Sequence, residues 1–66
     1  MNTRELQSKF PQAFKALPSC YQNDSCLEFS IDSEGYVHAF PLQDQIAILG
    51  DWESMFKHGQ WKTVDW

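Results

Sequence analysis

The chain has 66 residues, ten of them aromatic, and a formal net charge of −4 at pH 7. That length holds one hydrophobic core and no second domain, with an expected radius of gyration of about 11 Å. An acidic balance excludes the clustered lysine and arginine of a direct nucleic-acid binder. No apolar run is long enough for a signal peptide or a bilayer span, so a cytosolic (cytoplasmic) protein is expected.

Asn2, followed three residues later by Glu5, reads as a helix N-cap with its capping-box partner. Leu6, Phe10, Ala13, Phe14 and Leu17 then recur at steps of three and four, the apolar stripe of an amphipathic helix. Pro11 interrupts it. In a helix interior it removes a backbone donor at a cost of about 3 kcal/mol. In a second helix started by Ser8 it would sit harmlessly in the first turn. The spacing thus predicts one broken or kinked helical region over residues 3–17, stopped by Pro18. Residues 18–25 are turn-formers and predict a loop. Cys26 to Ile31 alternates, with Leu27, Phe29 and Ile31 on one face, and predicts a half-buried strand. Asp32-Ser33-Glu34-Gly35 predicts the turn of a hairpin whose second strand runs from Tyr36 to Phe40. Pro41 ends that strand or places it on an edge.

The apolar run at 45–49 predicts a short buried strand. Trp52, Met55 and Phe56 lie at helical spacing and Gly59 suits a C-terminal cap, which predicts a short helix over Asp51–His58. Trp61 to Val64 predicts the last strand. The expected fold is α+β: an N-terminal helical region packed on a three- or four-stranded antiparallel sheet, in a single small domain over residues 1–66.

The ingredients of catalysis are thin. Cys20 and Cys26 stand six apart and His38 and His58 twenty apart, which matches no zinc-ligand pattern. A reducing cytosol favours reduced, structural cysteines; a disulfide over so short a loop would gain only about 2–3 kcal/mol. A disulfide and a metal or redox role stay open for that pair. Glu28 with Asp32, and Asp51 with Glu53, are paired carboxylates. Without a cleft to desolvate one of each pair, ordinary pKa values are expected. A body this small rarely encloses the roughly 300 Å³ that a ligand pocket takes. Three isolated glycines cannot build a phosphate cradle. No enzyme, no cofactor and no metal site is expected.

The charge is segregated along the chain. It is +2 over residues 1–15, −7 over 16–56 and +1 over 57–66. The central block contains no lysine or arginine, and its acids are Asp24, Glu28, Asp32, Glu34, Asp44, Asp51 and Glu53. Solubility alone would account for acids on a surface, but ordinary surfaces intersperse both signs. In the hairpin Glu28, Asp32 and Glu34 are expected to find no local cation, and a basic partner would offset their repulsion. Carboxylates at steps of two and four could take phosphate positions along a nucleic-acid groove, while aromatic side chains hold the complex. Trp52 and Trp61 suit the core; Trp66 suits partial exposure in the contact. The expected interface is therefore these seven acids with Trp66, led by Glu28, Asp32 and Glu34.

A small acidic α+β chain of this kind resembles the anti-CRISPR proteins of phages and other mobile elements, several of which imitate DNA in their charge layout. The likeness lies in size, class and charge over the whole chain, without a signature motif. It points toward inhibitors of the multisubunit type I surveillance complex, subtype I-C among them. It implies a non-enzymatic inhibitor whose partner is a protein with a basic DNA-binding channel, with no direct contact to nucleic acid or membrane. The alternative is an antitoxin or immunity-type protein that neutralises a basic partner, or a phage accessory interaction module, and it would use the same acids.

Overall fold

The structure is a computed structural model that describes residues 1–22 and 26–63. Two short helices come first, α1 (Thr3–Lys9) and α2 (Pro11–Ala16). The cap expected at Asn2 is present: its side chain accepts a hydrogen bond from the Glu5 amide at 2.9 Å. The break falls at Phe10, whose φ of −134° and ψ of 69° leave the helical region. Pro11 then opens α2 at a position where no amide is needed. Ser8 lies inside α1 and does not cap the second helix, which has no side-chain cap. After Pro18 a single 3-10 turn, Ser19–Tyr21, leads to Gln22. The Gln22 amide group donates to the carbonyls of Phe14 and Leu17 at 3.3 and 3.1 Å. It thereby satisfies the Leu17 carbonyl just past α2 and adds a second donor to that of Phe14, which already accepts from the Leu17 amide.

Four strands follow as an antiparallel sheet in chain order: β1 (Leu27–Ile31), β2 (Val37–Pro41), β3 (Ser54–Lys57) and β4 (Gln60–Thr63). The expected α+β fold, with helices at the N-terminus, is what forms. The hairpin β1–β2 pairs Phe29 with Ala39 and Leu27 with Pro41. Pro41 is tolerated because β3 pairs only with Val37 to Ala39, so no neighbour calls for the missing donor.

Two elements between β2 and the chain end depart from the expected pattern. Residues 45–49 form no strand. A 3-10 turn, Gln43–Gln45, runs into α3 (Ile46–Leu49), and Ile48 is 76% exposed. A five-residue apolar run does not distinguish strand from helix, and the place beside β2 is taken by β3. The helix expected over Asp51–His58 is instead that strand. Met55 and Phe56 point to opposite faces, and His58-Gly59 is a two-residue hairpin turn, with φ of 54° and 77°. Two consecutive left-handed residues match the twist of the strands they join. Gly59 is therefore a turn glycine, not a helix cap.

The helices cover one face of the sheet. Leu6, Ala13 and Leu17 pack there with Leu27, Phe29, Val37 and Ala39 to form the core. Trp61 closes it from β4, its ring 6.1 Å from Phe29 and its indole N–H donating to the Ala13 carbonyl at 2.9 Å. Ile31, expected on the buried face, is 49% exposed at the hairpin end. The Cα radius of gyration is 11.0 Å. No helix among the described residues is long and apolar enough to cross a membrane.

Candidate protein-binding face

The side chains that alternate with the core residues project from the other face of the sheet. By register, Ser30, His38, Met55 and Lys62 form one row across all four strands. Glu28 and Phe40 pair in the next row, with Glu53 just ahead of β3. Lys57 lies toward the hairpin tip, its ammonium 5.1 Å from the Tyr36 ring centroid. This outer face is acidic toward β1 and basic toward β4. Arg4, Lys9 and Lys15 are all exposed on the two helices.

The hairpin acids are not without local partners, which corrects the expectation from sequence. Glu28 Oε1 lies 3.3 Å from the Met1 α-amine, and the Met1 backbone pairs with Phe29 at 2.6 and 2.8 Å. Asp32 is tied more tightly. One carboxylate oxygen accepts from the amides of Glu34 and Tyr36, each at 2.9 Å, closing the turn. The other lies 2.7 Å from His38 Nε2. A carboxylate only accepts, so the proton in that bond belongs to the imidazole. The remaining ring nitrogen, Nδ1, faces Glu53 Oε2 at 3.7 Å. The hydrogen bond from His38, reinforced by that from the Tyr36 amide, holds the Asp32 carboxyl below its usual 3.8. The ordinary pKa values expected of the paired carboxylates therefore fail at Asp32.

Of the other expected contact residues, Glu34 is exposed at the hairpin turn, and Asp44 and Asp51 are exposed in the β2–β3 connection. Glu53 is half-buried beside His38. Asp24 and Trp66 lie outside the described residues. The fold thus brings Glu28, Asp32 and Glu53 onto one sheet face and sets Glu34, Asp44 and Asp51 around its margin. His38 is not among the contact residues that the charge pattern predicts. Its alternation with Val37 and Ala39 could have placed it on the acid-bearing face.

Trp52 and Trp61 both pack against the core, as expected, and both are half-buried. Trp52 lies 5.7 Å from Tyr21, and beside this pair opens a cavity of about 380 Å³ reaching Leu17 and Trp61. A body this small is expected rarely to enclose such a space, and this one is not enclosed: short helices that cover the sheet incompletely leave it open. Among the described residues no group of three or more His, Cys, Asp or Glu side chains could hold a metal ion. Cys20 and Cys26 are free thiols. Comparison with known proteins yields no matching family model and no match among curated proteins or solved structures.

Proposed function

We propose that this chain is an inhibitory binding protein that docks its acidic side onto a lysine- and arginine-lined nucleic-acid channel and so keeps DNA out. It acts in the cytoplasm by occupancy, without catalysis or a cofactor. The observation that carries the reading is the segregation of charge in three dimensions. The cations of residues 1–15 ride on the helices, whereas Glu28, Asp32 and Glu53 stand on the opposite sheet face with Glu34, Asp44 and Asp51 at its margin, and Lys57 and Lys62 are set apart from them at the β3–β4 side of that face. An arrangement of this kind raises encounter rates with a basic surface and fixes orientation. The likeness to small anti-CRISPR proteins makes a CRISPR effector, of the type I surveillance class, the partner to test.

Asp32 closes the hairpin turn, so reversing it would disturb the fold and the charge together. Glu34, Asp44 and Asp51 are exposed and separate the two effects. Replacing all three with lysine is expected to leave the melting temperature within a few degrees of the parent. The same change is expected to weaken competition with DNA for a purified type I complex by on the order of 100-fold. Undiminished competition by that variant at physiological salt would sink the electrostatic mechanism. Failure of the parent protein to compete at all would sink the choice of partner.

A further inference from the structure

The connection from β2 to β3 folds back over the end of the outer face and leaves a groove around Phe40. One part, about 380 Å³, is lined by Phe40, Asp51, Trp52 and Glu53. The adjoining part, about 370 Å³, shares Phe40 and Asp51 and reaches Glu28 and Ile46. Phe40 and Trp52 are both half-buried. Phe40 alternates with the core residues and stands on the uncovered face, whereas Trp52 packs toward the core beside Tyr21 and borders the groove at its end. Two aromatic residues therefore border a depression that also holds Asp51 and Glu53, and Glu28 lies in its adjoining part.

We infer that this groove receives an arginine side chain of the protein partner. The inference rests on the preceding reading that the partner's surface is basic, and it adds the place and the side chain that engage. A neutral apolar group could use the rings but would strip water from the carboxylates without compensation. An anion would be repelled. A guanidinium suits both features: its flat, weakly hydrated face stacks on aromatic rings, and its forked N–H donors match carboxylate oxygens. A lysine ammonium is a compact, strongly hydrated charge and would use the rings less well. Among the described residues, the groups already facing these acids are the Met1 amine, 3.3 Å from Glu28, and the His38 imidazole, 3.7 Å from Glu53. Asp51 is exposed, and no ion pair to it occurs among the described residues. Asp51 is accordingly the leading acceptor, with Glu53 second.

The test is a titration of the isotope-labelled full chain with the blocked peptide acetyl-Gly-Arg-Gly-Arg-Gly-amide, followed by amide and indole NMR shifts. The expected result is saturable movement of the Trp52 indole N–H and of the Phe40 and Asp51 amides. The lysine counterpart should bind several-fold more weakly. Asp51→Asn with Glu53→Gln should weaken arginine-peptide binding about tenfold or more, and Glu5→Gln, exposed on α1, should change it less than twofold. Phe40→Leu, which keeps an apolar wall but removes the ring, should weaken it several-fold and stands in if the double variant does not fold. Shifts centred elsewhere would overturn the inference, as would equal binding of the two peptides or indifference to both groove variants. The titration contains neither effector nor nucleic acid, so it can succeed where competition with DNA fails. Conversely, DNA competition that the groove variants leave intact would sink the groove assignment alone.

Discussion

Asp32 shows how much one side chain does in so small a molecule. It caps the hairpin through two backbone amides and orients His38 from the neighbouring strand. Because its carboxyl is held below the usual 3.8, the charged form is favoured more in the folded than in the unfolded chain. That contribution is fully present above about pH 3.8 and is lost as pH falls through the lower folded value. Asp32→Ala is therefore expected to melt below the parent at pH 7, with the gap closing in strong acid. Equal pH dependence of the two melting curves would show that the carboxylate bonds contribute nothing. Trp61 is the counterpart on the core side. Its indole N–H satisfies the Ala13 carbonyl near the end of α2, and Trp61→Phe would strand that acceptor at a cost of about 1–3 kcal/mol.

At the scale of elements, the β3–β4 hairpin is the segment where local spacing and final structure part. Trp52, Met55 and Phe56 suit one helix face by their intervals, but the same residues suit a strand once Phe56 can pair with Val37 and Trp61. Ring centroids of Phe56 and Trp61 come within 5.2 Å across the non-helical pairing. Packing of that kind is worth about 0.5–1.5 kcal/mol beyond area burial and is available only in the sheet. His58 occupies a left-handed turn position that asparagine adopts more readily. His58→Asn is expected to raise the melting temperature by about 2–4 °C, since a few tenths of a kcal/mol moves a domain of this size that far. A helix through residues 51–58 would gain nothing from that change. The exposed α3 makes the opposite contrast. Ile48→Lys should stay within about 0.5 kcal/mol of the parent, whereas Leu6→Ala, in the fully buried core, should cost about 2–5 kcal/mol.

On the scale of the whole molecule, the fold separates a helical, cation-bearing layer from a sheet face that is acidic toward β1 and carries Lys57 and Lys62 toward β4. Exposed charges at these spacings are screened over about 8 Å at physiological ionic strength. Inhibition that depends on them should weaken progressively between 50 and 500 mM salt, chiefly through slower association. An arginine seated in the groove beside Phe40 and Trp52 is less accessible to salt and would leave a residual affinity. A flat salt profile measured by competition with DNA would argue against charge steering.

The N-terminal cap at Asn2, the break before Pro11, the Asp32–Gly35 turn and the alternation of β1 are legible in the chain because each depends on neighbours within a few residues. A cap needs an oxygen near specific amides, a proline lacks a donor, and a strand side chain alternates whatever it pairs with. The segregation of charge along the sequence is equally plain. Tertiary structure alone decided that residues 54–57 are a strand and 46–49 a helix. Both stretches are short and apolar enough to satisfy either period, and only the vacant edge of β2 and the ring of Trp61 break the tie.

It also decided which acids are free. Glu28, Asp32 and Glu53 meet an amine or an imidazole brought from far along the chain or from the adjacent strand, while Asp51 is left exposed in a groove that Phe40 and Trp52 also line. Electrostatic pairing acts over a few ångströms in space, and sequence separation carries no record of that distance.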